Sequence, residues 1–104
     1  MAVSQDALYF AVFFDIAPEH VESFRRALIE ECRAVEALEA KTARFNLWQS
    51  RDDPSRWLVL EAFRERAGLE EHRLMPHYLK VRAQLEEWQR TPRSHDGGYS
   101  LVAF

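Results

Sequence analysis

The residues best suited to chemistry lie in the segment from Asp53 to Tyr78, where one acid and two histidines occur among aromatic side chains. Glu61 interrupts the apolar run WLVLEAF and shares a face with Trp57, so we expect its carboxyl group to leave water and its pKa to rise. His72 follows on a short helical segment, where an imidazole can accept a proton from a phenol near neutral pH. The segment therefore predicts acid–base chemistry, with His72 as the base and Glu61 orienting it or sharing its proton.

Each of these groups also has a structural interpretation. Glu61 can accept hydrogen bonds from the next helix or from a second subunit, and His72 can be a half-buried histidine whose nitrogens are satisfied. His77 comes five residues after His72, a rotation of about 140° on an unbroken helix. The two rings can therefore meet only if Pro76 breaks the helix between them.

A polar group beside an aromatic one occurs in the segment ARFNLWQ. Asn46 and Trp48 alternate on one face of it, where an amide can donate to a quinone or phenolate oxygen and an indole can stack on the ring. We therefore expect Asn46 to be an oxyanion donor. Candidate substrate-binding residues are Trp48, Trp57, His77 and Tyr78, with core packing or a subunit contact as the alternative for the aromatics.

Several kinds of site lack their sequence motifs. With only three glycines there is no G-x-G-x-x-G or phosphate loop, which disfavours a tightly held nicotinamide, flavin or nucleotide. Neither histidine belongs to H-E-x-x-H or to a cysteine–histidine zinc pattern, so no metal site is predicted. No G-x-S-x-G elbow is present, and Cys32 is predicted to lie in a buried helix stripe, so covalent hydrolysis is not expected. The sequence thus predicts a site without a cofactor.

The elements that must position these residues follow from hydrophobic periodicity. An apolar run predicts a first strand at Leu8–Ile16, and Pro18 suits the first turn of a helix whose stripe runs from Val21 to Leu38. Turn formers between 50 and 56 join two further strands into a hairpin. The remaining predictions are strands at 43–49, 57–63 and 99–104, helices at 67–74 and from Pro76, and a loop marked by Pro92, Gly97 and Gly98.

This order predicts an α+β fold, a ferredoxin-like βαββαβ arrangement in which helices cover one face of a four-stranded antiparallel sheet. The whole chain, 1–104, is expected to form a single domain. The first strand is apolar on both sides, with Val12 and Phe14 on one face and Ala11 and Phe13 on the other. A second copy of the sheet is the simplest cover for the open face, so we predict a homodimer that forms a dimeric α+β barrel.

Charge and composition limit the kinds of partner that we expect. Fourteen Lys and Arg against 17 Asp and Glu give a net charge of −3, which provides no general field for nucleic acid or anionic lipid. Cys32 is the only cysteine, and no apolar run reaches the length of a membrane span. We expect a cytoplasmic protein that binds neither nucleic acid nor membrane.

The motifs resemble those of the antibiotic biosynthesis monooxygenase family, small dimeric α+β barrels that include cofactor-independent quinol and anthrone oxygenases. That family often shows D-P-x-x-F, an apolar strand ending in E-x-W/F, then A-x-x-x-H and P-H-F. An earlier family segment, E-x-G-C-L-x-Y-x-L, is matched less fully, because Lys41 and Thr42 stand where Gly and Cys are frequent. The matching residues are Asp53, Pro54, Trp57, Glu61, Phe63, Ala67 or Leu69, His72, Pro76, His77 and Tyr78, with Glu39, Phe45 and Leu47 in the earlier segment.

The resemblance implies a cofactor-free monooxygenase that acts on a small aromatic quinol, anthrone or polyphenol. Such a substrate, once deprotonated, is an anion electron-rich enough to reduce dioxygen itself, so a base, an oxyanion donor and a dry cavity suffice. Two alternatives stay open. One is a non-catalytic dimeric domain that binds a small apolar molecule, and the other is a haem-binding or haem-degrading relative with His77 as the ligand.

Overall fold

A computed structural model describes residues 6–100 and residue 102 of the chain. Within them four strands and three helices follow in the predicted ferredoxin-like order, and a 3-10 turn, Pro18–His20, leads into the first helix. Among the residues that the structure describes, no helix is long and apolar enough to cross a membrane. The elements are β1 (Leu8–Ile16), α1 (Val21–Leu38), β2 (Thr42–Gln49), β3 (Arg56–Phe63), α2 (Arg66–His72), α3 (Pro76–Trp88) and β4 (Gln89–Ser100).

The strands form one antiparallel sheet in the order β2-β3-β1-β4, with β1 and β3 at its centre. Glu61 of β3 pairs with Phe10 of β1 and with Phe45 of β2, so these three side chains share a face. Asn46 pairs with Leu60, and because successive side chains alternate, both point to the opposite face. This register decides which candidate residues can meet.

The core lies between the sheet and helices α1 and α3. Phe24 is fully buried, and its ring centroid is 5.2 Å from those of Phe14 and Trp57. Burying a large apolar side chain of this kind stabilises the fold by roughly 1.5–3 kcal/mol. Further core residues are Val12, Ile16, Leu28, Val59, Val81 and Leu85.

The buried stripe of α1 differs from the predicted one. Its buried members are Phe24, Leu28, Glu31 and Val35, whereas Leu38 is 65% exposed and Cys32 is half-buried. Spacings of four, three and four residues keep the buried positions on one side of the helix. The buried stripe therefore passes through Glu31, an acid, where the sequence pattern had predicted Cys32.

The fourth strand also corrects the sequence analysis. β4 begins at Gln89, directly after α3, and covers the region that had been predicted as a loop, while 101, 103 and 104 lie outside the described residues. Pro92 is tolerated because β4 is an edge strand and its register shifts there, between Phe13 and Asp15 of β1. Gly98 has a φ of +84° and takes up a second register shift.

The face of the sheet away from the helices is open in the single chain. Phe13 is 46% exposed and Trp48 is 54% exposed, while Leu58 and Leu60 between them are half-buried. The predicted two-sided apolar character of the sheet is thus present in the structure. The sheet of a second copy remains the predicted cover.

Candidate acid–base site

One carboxylate, Glu39, joins three side chains at the edge of the helical layer. His72 Nδ1 lies 2.9 Å from both Glu39 carboxylate oxygens, and Thr42 Oγ1 donates to Oε1 over 2.7 Å. His77 Nε2 donates to Oε2. The acceptor lies in the turn after α1, and the two histidines end α2 and begin α3, so the cluster ties three parts of the chain together.

A close approach of α2 to the turn before β2 brings His72 to Glu39. A Cβ on Gly68 would lie 2.9 Å from Cβ and the carbonyl oxygen of Lys41, so only glycine lets the helix backbone come this near. Lys41 Nζ also pairs with Glu71 at 3.1 Å. His72 comes one turn after Gly68 and therefore faces the carboxylate.

Burial and hydrogen bonding fix the charge states of the pair. The side chains of His72 and Glu39 are 2% and 5% exposed. Burial alone would raise the pKa of Glu39, but the hydrogen bonds from His72, His77 and Thr42 outweigh it and lower that pKa. Burial also lowers the pKa of His72, although Glu39 opposes this. The favoured state is an ionised carboxylate that accepts from the Nδ1–H of a neutral imidazole, which leaves Nε2 as the basic nitrogen.

Aromatic rings hold the His72 imidazole. Its ring centroid lies 5.3 Å from that of Phe45, 5.5 Å from that of Phe63 and 5.0 Å from that of Tyr78. The His77 ring is 6.2 Å away, because α2 ends and α3 begins between the two histidines. The break at Pro76 therefore brings together two rings that a continuous helix would separate.

A cavity of about 420 Å³ opens beside His72. Glu61 faces it, and burial raises the pKa of this carboxyl group to about 7, although Arg93 and Arg73 lower it. Arg93 Nη2 lies 3.0 Å from the Tyr78 hydroxyl oxygen, and Arg82 Nη1 lies 3.4 Å from the same oxygen. The other lining residues are Phe10, Val12, Leu69 and His95.

Glu31 is a second buried acid that the sequence analysis missed. It is 4% exposed and, with Glu61, His72 and Arg93, borders a narrow gap beneath the cavity. Burial raises its pKa to about 8, with further contributions from the charges of Glu61 and Glu39. The spacing of Glu31 from Phe24 and Val35 in the α1 stripe is the signal that could have located it.

The structure brings together four of the seven predicted site residues and separates the other three. Glu61, His72 and Tyr78 line the same cavity, whereas His77 does not line it and is joined to His72 through Glu39. The carboxylate bound to His72 is that of Glu39, and no hydrogen bond joins His72 to Glu61 among the described residues. The acid that holds His72 is therefore Glu39, which the sequence analysis had noted only as a family match, and not Glu61.

Asn46, Trp48 and Trp57 lie elsewhere. Asn46 and Trp48 are exposed on the open face, across the sheet from His72, so Asn46 is not positioned to donate to a substrate held there within one chain. Trp57 is on the helical side but 4% exposed in the core, where the Arg25 guanidinium lies 5.0 Å from its ring centroid. Trp48 and Trp57 instead line a separate cavity of about 640 Å³ near the opposite end of β3.

The same cluster supplies possible metal ligands. One ligand atom each from Glu39, His72 and His77 lies within 4.8 Å of the others. Two imidazoles and a carboxylate suit a divalent transition metal. No sequence motif reveals the three ligands, because they come from three separate parts of the chain. These atoms already share hydrogen bonds, so a metal ion would have to displace the protons between them.

Comparison with known proteins gives one family. The sequence profile described as antibiotic biosynthesis monooxygenase matches residues 8–84, well over half of the chain. No curated protein matches the sequence significantly.

Several solved structures have the same fold as this chain. Rv0793 from Mycobacterium tuberculosis is 26% identical with a TM-score of 0.85, over 93% of this chain and 97% of its own. PA3566 from Pseudomonas aeruginosa is also 26% identical with a TM-score of 0.83, over 98% and 100%. A Nitrosomonas europaea protein named "Putative antibiotic biosynthesis monooxygenase" is 24% identical with a TM-score of 0.87, over 98% and 96%, and at that identity it supports the fold alone.

Proposed function

The chain belongs to the antibiotic biosynthesis monooxygenase family, and from this premise we propose that it is a cofactor-independent monooxygenase of a small aromatic quinol, anthrone or polyphenol. The observation that carries the proposal is the Glu39–His72 hydrogen bond beside the cavity. A buried carboxylate that fixes one imidazole tautomer is the arrangement that makes histidine an effective base.

The first step is removal of a proton from the substrate. His72 Nε2 accepts it, and the Glu39 carboxylate stabilises the imidazolium that forms. The pKa of His72 is lowered by burial, so the imidazole is neutral and competent near neutral pH. Glu39 acts through His72 and is a positioning residue.

The second step is reaction of the substrate anion with dioxygen. The anion gives one electron to dioxygen, and the resulting radical and superoxide combine at the ring carbon to form a peroxide. Proton transfer from His72 and loss of water convert an anthrone methylene and one dioxygen into a ketone and one water. All the electrons that reduce dioxygen come from the substrate, so no external reductant is needed.

Tyr78 is the donor best suited to the developing oxyanion. It lines the cavity, and its hydroxyl oxygen already accepts from Arg93, so the hydroxyl proton is free to point at a substrate oxygen. Tyr78 takes the role that the sequence analysis had given to Asn46. Glu61, with a pKa of about 7, is suited to exchange the substrate proton with water.

We propose further that two copies pair through the open face of the sheet. Phe13 and Trp48 are exposed there, and Leu58 and Leu60 continue the apolar surface. Face-to-face packing about a two-fold axis would bury these side chains and form the dimeric barrel of the family. Gel filtration at micromolar concentration gives a dimer if this is correct and a monomer if it is wrong.

Oxygen uptake tests the reaction. Purified protein is incubated with a panel of anthrones and quinols, together with His72→Gln and, as a matched control, His20→Gln in the 3-10 turn before α1. We expect uptake in the wild type and in the control, and a loss of about 10²–10⁴-fold in His72→Gln. No uptake with any compound, or full activity in His72→Gln, would contradict the proposal.

Two further measurements distinguish the proposed reaction from metal-dependent chemistry and from binding without catalysis. Activity that a chelator abolishes and a divalent metal restores would assign the cluster at Glu39 to metal-dependent chemistry instead. A compound that raises the melting temperature without being consumed would favour the non-catalytic binding domain.

A further inference from the structure

Three arginines surround the cavity beside His72. Arg73 follows α2, Arg82 lies on α3 and Arg93 lies on β4, so three separate elements each supply a guanidinium group. Glu61 is the one carboxyl group among the lining residues that the structure describes. The cavity wall is therefore strongly cationic, although the chain as a whole has a net charge of −3.

These arginines form no close ion pair of the kind that other basic residues have, although Arg73 and Arg93 lie near enough to Glu61 to lower its pKa. Arg90 pairs with Asp15 at 2.6 Å and Lys41 with Glu71 at 3.1 Å. By contrast, within residues 6–100 and 102, no carboxylate oxygen lies within 4.0 Å of the guanidinium nitrogens of Arg73, Arg82 or Arg93.

Two of the arginines converge on a neutral acceptor. Arg82 and Arg93 both approach the Tyr78 hydroxyl oxygen, at 3.4 and 3.0 Å, and the Arg93 guanidinium carbon lies 5.9 Å from the Tyr78 ring centroid. A guanidinium group has five N–H donors, so most of theirs remain available. Guanidinium groups held this way suit a planar carboxylate, which accepts two parallel hydrogen bonds from one of them.

We propose that the substrate of this site carries a carboxylate in addition to its oxidisable ring, and that Arg82 and Arg93 bind that carboxylate. The proposal rests on the proposed function for the identity of the ring, but not for binding. The ring then lies between this pair and His72, and 420 Å³ suits a molecule of one or two rings. Arg73 adds to the positive potential that draws such an anion into the cavity.

Matched ligand pairs test the proposal without turnover. Binding of gentisate is compared with hydroquinone, and of dihydroxynaphthoate with dihydroxynaphthalene, by calorimetry in the absence of oxygen. We expect each carboxylate to bind roughly 10–100-fold more tightly than its neutral partner, the gain typical of charged hydrogen bonds. The preference should shrink as salt is added.

Variants locate the effect. Arg82→Gln/Arg93→Gln should reduce the preference to about twofold or less, while Arg33→Gln, an exposed substitution on α1, should keep it. Thermal melts confirm that each variant is folded. Equal binding within each ligand pair, a preference that survives in the double variant, or binding of neither carboxylate would overturn the proposal. Carboxylate binding without any oxygen uptake would instead refute the oxygenase and leave this inference standing.

Discussion

The two faces of the sheet have opposite characters. Between the covered face and the helices lie buried ionisable groups, Glu61 from β3 and Glu31, Glu39 and His72 from the helical layer, and burial and neighbouring groups shift the pKa of each. The open face holds Phe13, Trp48 and Asn46, which are exposed in the single chain. None of these three side chains is ionisable. Glu61 and Leu60 are neighbours on β3 but face opposite sides of the sheet, because successive side chains of a strand alternate.

Residues that are adjacent on a strand therefore need not contribute to the same site, because their side chains lie on opposite faces of the sheet. Phe45 touches His72, whereas Asn46, the next residue, points away from it. We therefore propose that chemistry takes place at the covered face and that two copies of the chain meet through the open face. The following experiments test this division between the two faces.

Glu39→Gln should give the largest effect. Without the carboxylate the imidazolium of His72 is less stabilised, so we expect oxygen uptake to fall about 100-fold or more. The acidic limb of its pH profile should also move to lower pH, because Glu39 raises the pKa of His72. Asn46→Ala is the matched control and should stay within about twofold of the wild type. A larger loss from Asn46→Ala than from Glu39→Gln would show that chemistry lies on the open face.

Phe13→Asp should separate the subunits. A charge buried in an apolar interface costs on the order of 3 kcal/mol or more, so the dimer dissociation constant should rise at least about 100-fold. Sedimentation equilibrium measures the shift. Leu74→Asp, at a position 76% exposed after α2, is the control and should leave the dimer intact. A dimer that withstands Phe13→Asp would exclude the open face as the interface.

Glu31→Gln should change how stability depends on pH. The pKa of Glu31 is raised from 4.5 to about 8 in the folded chain, so its favourable contribution is complete below about 4.5 and is lost as pH rises through 8. Wild type should therefore lose a few kcal/mol of unfolding free energy across this range, at roughly 1.4 kcal/mol per pKa unit, relative to Glu31→Gln.

Urea unfolding at several pH values measures that difference. Glu36→Gln, on the exposed side of the same helix, controls for removal of a carboxyl group from α1. If the wild type and Glu31→Gln have parallel pH profiles, the carboxyl group of Glu31 is hydrated and the covered face is less dry than we infer.

Gly97→Ala and Gly98→Ala test how closely β4 packs against β1, and these two substitutions should give the smallest effects. A Cβ on Gly97 would lie 1.8 Å from Cδ1 of Phe10, so one of the two must move, at a cost of about 1–3 kcal/mol in unfolding free energy. Gly98→Ala, where the space is open and only the positive φ opposes a side chain, should cost about 1 kcal/mol. A harmless Gly97→Ala would mean that β4 is seated more loosely than described.

Much of the fold could be predicted because periodicity reports on burial directly. β1 has the predicted bounds, and the hairpin strands and α3 begin or end within a residue of theirs. β4 could not be predicted in the same way. Pro92 and Gly98 are ordinarily signals of a loop, and only pairing with β1 shows that both sit at irregularities of an edge strand.

The site was predictable in part. His72 and Glu61 stood out because a titratable group in an apolar segment is unusual, and both do line the cavity. Glu39 carried no such signal, since it lies 33 residues before His72 and meets it only through tertiary packing. The separation of Asn46 from Glu61 likewise depends on the pairing register of β2 and β3, which spacing along one strand does not reveal.

The irregular edge strand has a consequence for solubility. A regular edge offers a row of free backbone donors and acceptors on which another chain can polymerise, and β4 is one of the two edges of this sheet. Pro92 removes one donor from that row, and the register shift at Gly98 twists its outer end. The β4 edge is therefore a poor template for added strands, which disfavours fibril growth on that side of the sheet.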